Sequence, residues 1–204
     1  TTETDNKKYI HTLLNASAQA GDTTTIQPLL EKLIELDKTN EQYISILMQM
    51  YDGKKEYEKE MELLDRLETY YGKSTATELP RVEIMKNLYG EKKALKYINS
   101  LINKSPKESG YILYMAQHYR EKEEYKKALP YYEKALEQNP NDGTIRYSYI
   151  SCLESMGQEA EARQLAIEAV NDPKSPIELK VQIVKDLLET FEREPNGTER
   201  MMQV

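Results

Sequence analysis

Apolar residues return at a fixed interval along the chain, and this spacing limits the fold more than any other feature of the sequence. The interval is about 34 residues, which is within the range of known structural repeats. Positions separated by it form columns that stay apolar through five successive units. One column contains Leu14, Met48, Val82, Ala116 and Ile150, and another contains Leu30, Leu64, Ile98, Tyr132 and Ala166. A constant period of this length predicts an array of repeated units that stack side by side.

Each unit is predicted to be a pair of antiparallel helices. A glycine or a polar turn divides every unit into two halves, as in AGD at 20–22, DGKK at 52–55 and MGQE at 156–159. The chain has no Trp, one Phe, eight Gly and eight Pro among 204 residues. Strand-forming alternation is scarce, so the sequence predicts an all-α fold.

Small residues occupy the positions where the two helices of a unit are predicted to cross. Ala94, Ala128 and Ala162 share one column, in which the earlier units have Ile26 and Glu60. A methyl side chain lets two helix backbones approach closely, whereas a larger side chain would force them apart. We call this contact the seam. Prolines in the second halves, such as Pro28 and Pro130, are predicted to shape the start of a helix without breaking it.

These residues resemble the tetratricopeptide repeat family. The similarity is greatest in 109–142, where the signature places hold Ala116, Tyr119, Tyr125, Ala128, Tyr132, Ala135 and Pro140. Units 7–40, 41–74, 75–108 and 143–176 complete the array, although 75–108 carries Glu78, Pro80 and Arg81 in its first half. The resemblance implies a right-handed α–α superhelix of antiparallel hairpins that acts as a protein-interaction scaffold.

Residues 177–192 are predicted to form a capping helix or half of a sixth unit. Its apolar stripe, Ile177, Val181, Val184, Leu188 and Phe191, is expected to cover the last unit. The segment 198–204 resembles the start of another helix. We therefore expect one solenoid domain over 1–204 that is part of a longer protein.

No catalytic constellation is found in the sequence, which predicts a protein that is not an enzyme. His11 and His118 lie in units far apart, and Cys152 falls in an apolar column typical of a packed thiol. Motifs for phosphate loops, zinc proteases and dithiol chemistry are absent. No cofactor and no metal are expected.

The charge pattern limits the partners. The net charge is -7, and lysines alternate with glutamates in runs such as KKEYEKE, so nucleic acid is not expected as a partner. No apolar run is long enough for a membrane span. A small-molecule ligand is not expected either. The single cysteine leaves a cytoplasmic and an exported or periplasmic location both open.

The concave side of such a solenoid is lined by the first helices, and we predict that a protein or an extended peptide binds there. The predicted ligand-binding positions are polar or aromatic throughout: His11, Asn15, Gln42, Ser45, Gln49, Glu83, Gln117, Arg120, Tyr147 and Ser151. Side-chain amides both donate and accept hydrogen bonds, which suits a peptide backbone. Relatives that clamp a chaperone's C-terminal carboxylate use basic residues, and here only His11 and Asn15 imitate part of that pattern. The alternative is a structural spacer or assembly module of a larger multidomain protein.

Overall fold

The computed structural model describes residues 3–38 and 40–193, with side chains described for 6–38 and 40–189. This part of the chain is all-α. The helices are α1 (Glu3–Ala20), α2 (Thr23–Leu36), α3 (Glu41–Lys54), α4 (Tyr57–Tyr71), α5 (Thr75–Tyr89), α6 (Glu91–Lys104), α7 (Ser109–Glu121), α8 (Tyr125–Gln138), α9 (Gly143–Ser155), α10 (Glu159–Asn171) and α11 (Ile177–Arg193). The predicted segment 198–204 lies outside the described residues.

The helix starts follow the period of the apolar columns. Odd-numbered helices from α3 onward start at 41, 75, 109, 143 and 177, and even-numbered helices start at 23, 57, 91, 125 and 159. We call the odd-numbered helices first helices and the even-numbered helices second helices. Polar side chains cap several starts: Asn40 accepts from the Tyr43 amide, and Asp142 accepts from the amides of Thr144 and Ile145. The sequence period therefore sets the helix boundaries as well as the packing.

The turn inside several hairpins contains a residue with a positive φ. These residues are Gly21, Lys55, Glu123 and Gly157, again spaced by whole repeat lengths, with φ between 58° and 74°. A left-handed residue redirects the chain after the first helix so that the second helix can pack back against it. Lys55 and Glu123 adopt this conformation without being glycine, at a modest steric cost.

The chain divides into two compact units, Thr1–Tyr97 and Ile98–Val204, with the boundary inside α6. In unit 1 the core is a continuous cluster from α1 to α5 that includes Leu30, Leu33, Leu47 and Leu64. In unit 2 the core between α9, α10 and α11 includes Leu153, Ala166 and Ile183. The prediction of a single domain over 1–204 stays a prediction.

The seam alanines are buried as their column predicts. Ala94, Ala128 and Ala162 are almost completely enclosed, and α8 packs closely against α7. Pro28, Pro80 and Pro130 each stand at the sixth residue of their helix, and α2, α5 and α8 continue past them. Each proline removes only one hydrogen bond near a helix start, where the helix can tolerate the loss.

The docking of α11 differs from the prediction. Ile177, Val181, Val184 and Leu188, which were expected to cover the last unit, are exposed by 65%, 47%, 40% and 40%. The packed face of α11 is formed instead by Leu179, Ile183 and Leu187. The physical reason is that α11 packs as one more first helix, because its Leu179 continues a buried column through Tyr43, Thr77, Tyr111 and Ile145. The side chain of Phe191 lies outside the described side chains.

Candidate functional site

The predicted ligand-binding positions of unit 1 are all accessible. His11 and Asn15 on α1, the polar residues of α3 and Glu83 on α5 are exposed, whereas the neighbouring columns Leu47 and Val82 are buried. The α3 residues at this surface are Gln42, Ser45 and Gln49. We call this side of α1, α3 and α5 the first-helix face of unit 1. It offers amides, a hydroxyl and a carboxylate to solvent.

The corresponding positions of unit 2 are less open. Gln117 and Arg120 on α7 are exposed, while Tyr147 and Ser151 on α9 are half-buried. The Tyr147 hydroxyl donates a hydrogen bond to Asp186 Oδ2 on α11 at 2.9 Å. Burial, together with this contact, raises the pKa of Tyr147. Tyr147 therefore serves to join two helices as well as facing outward.

A pocket of about 650 Å³ opens in unit 1 between α3, α4 and α5. Its walls are mainly apolar, and the residues that line it are Glu41, Ile44, Ser45, Met48, Leu64, Leu67, Tyr71, Ser74, Ala76, Thr77 and Pro80. We call it the α3–α5 pocket. Ser45 links it to the first-helix face, and Glu41 places a carboxylate at its rim. Such a volume is in the range of pockets that accept a ligand group or a large side chain.

The second unit has a pocket at the equivalent place in the repeat. It measures about 430 Å³ and is lined by Gly143, Thr144, Tyr147, Pro176, Glu178, Leu179 and Gln182. Three repeat lengths relate Ser45 to Tyr147 and Pro80 to Gln182. We call it the α9–α11 pocket. Two successive first helices therefore leave a gap at the same register in both units.

Side-chain size explains the difference between the pockets. The ring of Tyr147 occupies space that the small Ser45 leaves open, and Leu179 replaces Thr77. On α5, Ala76 and Pro80 present little bulk toward α3. The larger pocket is consequently the one in unit 1.

A buried polar cluster holds α5 against α4 beside the α3–α5 pocket. Arg81 lies 2.9 Å from Glu68 and 2.7 Å from Asp65, and Lys73 lies 3.7 Å from Glu78. Both Glu78 and Arg81 are buried, and the Tyr97 hydroxyl donates a hydrogen bond to Glu78. Burial is the main reason that the pKa of Tyr97 is raised. Thr77 and Pro80, which line the pocket, are next to Glu78 and Arg81 on α5. The cluster therefore holds this wall of the pocket in position.

The remaining predicted site residues interact locally. Asn15 Nδ2 lies 3.3 Å from His11 Nδ1, one helical turn away. Gln117 donates to Glu121 at 2.9 Å, and Glu83 lies 3.3 Å from Lys86. These side chains stay at the surface and line neither of the two pockets.

The residues with potential for chemistry are in packing positions. Cys152 is buried and forms no disulfide, and burial raises the pKa of its thiol. His118 is buried with its ring 5.4 Å from that of Tyr119. In residues 6–38 and 40–189, no three His, Cys, Asp or Glu side chains are placed to share a metal ion.

Sequence reasoning missed most of the residues that line the α3–α5 pocket. Met48 and Leu64 were assigned to the apolar columns, and their exposed edges depend on how far apart α3 and α5 stand. A signal was nevertheless present, because Ala76 is smaller than its repeat equivalent Gln42, and Pro80 is more compact than Ile46. Smaller side chains on one of two adjacent first helices predict a gap between them.

The comparisons with known proteins agree with this architecture. Residues 119–175 match the family described as tetratricopeptide repeat. The structure of TTC0263, a thermophilic tetratricopeptide repeat protein of Thermus thermophilus, is similar with a TM-score of 0.52 and 17% identity, covering 89% of this chain and 99% of that chain. Residues 119–175 therefore carry the tetratricopeptide repeat that the sequence resembles, and the predicted all-α solenoid class of antiparallel hairpins is confirmed.

Two further solved structures are more distant. YrrB, whose structure is described as that of a tetratricopeptide repeat protein with an unusual peptide-binding site, has a TM-score of 0.48 and 13% identity, covering 84% of this chain and 88% of that chain. The structure of MamA has a TM-score of 0.46 and 16% identity, covering 78% of this chain and 87% of that chain. The comparison with curated protein sequences gave no significant match.

Proteins that share this repeat have a common broad function. Tetratricopeptide repeat proteins are in general interaction modules that bind proteins or peptides and carry out no catalysis. Over the described residues, no helix combines the length and the apolar character needed to cross a membrane.

Proposed function

We propose that the chain is a non-catalytic scaffold that binds an extended peptide or a segment of a partner protein on the first-helix face of unit 1. The observation that supports this proposal is the position of the α3–α5 pocket, which opens beside exposed polar residues of α3. Polar groups next to an apolar cavity can hold a peptide backbone while one side chain is buried.

The polar part of this surface is formed by Gln42 and Gln49. Both are exposed on α3, and each amide can donate to a peptide carbonyl and accept from a peptide N–H. Two such residues seven positions apart lie on the same side of the helix, about 10 Å from each other. That distance corresponds to about three residues of an extended chain.

The apolar part determines which peptides fit. Ile44, Met48 and Leu64 line the pocket, so a large aliphatic or aromatic side chain of the peptide would be buried there. Glu41 at the rim adds a negative charge, which favours a lysine or an arginine next to that anchor residue. The proposed partner therefore carries an apolar residue flanked by a basic one.

The test is selection from a random peptide library displayed on phage, followed by calorimetry with the best peptides. We expect enriched peptides to share an apolar residue next to a basic residue. The substitution Ser45→Tyr should narrow the pocket as Tyr147 does in unit 2 and weaken these peptides at least about tenfold, because an anchor side chain would lose much of its site. Ser155→Tyr, at an exposed position at the end of α9, is the matched control and should leave affinity unchanged.

A second pair of substitutions tests the amides. Gln42→Ala with Gln49→Ala should reduce affinity about fivefold to a hundredfold, if each amide contributes about 0.5 to 1.5 kcal/mol. Thermal unfolding should hardly change, because both residues are exposed. Peptides that bind the Ser45→Tyr variant and the double variant as tightly as the parent would contradict the proposal.

The alternative function, a structural spacer or assembly module of a larger multidomain protein, is favoured by the exposed apolar stripe of α11. A surface of this kind is suited to a permanent contact more than to a transient peptide. Failure of the library to enrich any peptide, together with association through α11, would favour this function.

A further inference from the structure

The exposed side of α11 carries a continuous apolar stripe. Ile177, Val181, Val184 and Leu188 follow one another at intervals of four, three and four residues, so they lie on one side of the helix over three turns. All four are exposed, while Leu179 and Ile183 hold the opposite side in the core of unit 2. This spacing is the one by which helices pack against helices.

In the other first helices, the position equivalent to Val184 is covered by a second helix, whereas Val181 and Leu188 continue columns that hold the half-buried Tyr147 and the exposed Arg120. Val184 continues the column in which Ala116 and Ile150 are buried, and these pack beside α8 and α10. The residues that would occupy the seam columns of a next second helix are Asn196, Arg200 and Gln203, which are polar. These three residues lie outside the described residues.

We propose that the stripe binds the same stripe of a second copy of this chain, with the two α11 helices antiparallel. In this arrangement Val181 faces Val184 of the other copy, and Ile177 faces Leu188. Each apolar residue then has an apolar partner at the same height, because helical residues rise by about 1.5 Å each and the paired positions are symmetric about the midpoint of the stripe.

Charge complementarity supports the antiparallel arrangement. Glu178 and Lys185 lie along one edge of the stripe, about 70° to 90° around the helix from its centre. In the antiparallel pair these edges meet, and Glu178 of one copy lies within about 3 Å in height of Lys185 of the other. Because the dimer has a two-fold axis, this opposite-charge pair occurs twice. In a parallel pair, each residue would instead lie at the same height as the identical residue of the other copy.

A second exposed apolar surface, on α1, is smaller than the α11 stripe. On α1, Tyr9 and Leu13 are exposed, and they stand one turn apart, so they cover about a third of the length of the α11 stripe. The α11 stripe is thus the larger self-complementary surface. With one helix per copy, the interface falls below the size of a standard permanent complex, so the dimer is expected to be weak and dependent on concentration.

Sedimentation of the intact chain from about 1 μM to about 1 mM tests the proposal. The parent should change from monomer to dimer across this range and form no larger species, since a two-fold interface is closed. Val184→Glu should raise the dissociation constant at least about tenfold, because it would bury a charge in the interface. Ala160→Glu, on the exposed first turn of α10, adds the same charge elsewhere and should leave association unchanged.

Charge reversal tests the orientation. Lys185→Glu should weaken the dimer because it opposes Glu178 of the other copy, and adding Glu178→Lys to it should restore association. A monomer at every concentration would overturn the proposal. It would also be overturned if Tyr9→Glu, and not Val184→Glu, abolished association, or if Val184→Glu only lowered the melting temperature without changing mass.

Discussion

The two compact units use the same hairpin, yet they fill equivalent positions with different chemistry. Unit 2 has Ile112 and Met115 where unit 1 has Glu78 and Arg81, and all four are buried. The seam shows the same contrast, since Ala128 in unit 2 corresponds to Glu60 in unit 1. A repeat packs well with the apolar set, so the buried charges of unit 1 are not required by the fold.

The same unit has the larger pocket. The α3–α5 pocket of about 650 Å³ compares with about 430 Å³ for the α9–α11 pocket, and its α5 wall is held by the Glu78–Arg81 cluster. Departures from a local rule tend to concentrate at functional sites. The comparison indicates that the packing of unit 1 is less uniform at the place where we propose a binding surface.

The largest expected effect comes from removing one member of the buried cluster. Arg81→Met introduces the residue that unit 2 has at Met115, but it removes the cation nearest to Glu68, at 2.9 Å, and one of the cations beside Glu78, at 3.8 Å. We expect a loss of about 3 to 5 kcal/mol in the free energy of unfolding, because an uncompensated charge would stay buried. Urea unfolding of unit 1 at neutral pH measures this loss.

The double variant Glu78→Ile with Arg81→Met is the control for this prediction. It copies the apolar pair of unit 2, Ile112 and Met115, and it leaves Glu68 with Lys73, which lies 3.6 Å away. Stability should return to near the parent value or exceed it. A double variant as unstable as the single one would show that the two units are not interchangeable at these positions.

A smaller effect is expected in the seam of unit 2. Ala128→Leu should lower the free energy of unfolding by about 1 to 3 kcal/mol, because the enclosed methyl leaves no space for a larger side chain. Thermal melts measure the loss. Lys126→Leu is the matched control, since Lys126 is exposed on the same turn of α8. Equal melting temperatures for the two variants would show that the seam tolerates large residues.

The period of the sequence was sufficient to predict the hairpins and the seam, for a physical reason. Each unit buries the same columns against its neighbours, so Leu30, Leu64, Tyr132 and Ala166 are all enclosed. A repeated environment selects a repeated pattern, and the repeat length then sets the helix starts. The ligand-binding positions of the first-helix face follow from the same columns, and their role stays a prediction.

The pattern could not decide what fills the space between elements. On α11 both the Ile177–Leu188 stripe and the Leu179–Leu187 stripe are apolar at helical spacing, and only the packing partner determines which one is buried. Extending the buried column of Tyr111 and Ile145 to Leu179 would have identified the correct face. The α3–α5 pocket likewise depends on the distance between two helices, which periodicity does not contain.

The smallest expected effect concerns Glu60, the carboxylate in the seam of unit 1. Glu60 is 8% exposed, and burial, with a contribution from Asp52, raises its pKa from 4.5 to about 7. The folded state therefore holds this proton more tightly than the unfolded chain does. Stability is accordingly expected to fall as the pH rises from about 4.5 to about 7, where folded Glu60 must ionise in a buried place.

Glu60→Ala removes this cost and gives unit 1 the alanine that unit 2 has at Ala128. Relative to the parent, the variant should gain about 1 kcal/mol more in the free energy of unfolding at pH 8 than at pH 5, allowing for partial solvation of the carboxylate. Urea unfolding at the two pH values measures this difference. Glu62→Ala, at an exposed position two residues further along α4, is the control, and it should change the free energy of unfolding by the same amount at both pH values. If Glu60→Ala gains equally at pH 5 and pH 8, the carboxylate reaches water in the folded state, and the seam of unit 1 is open where that of unit 2 is closed.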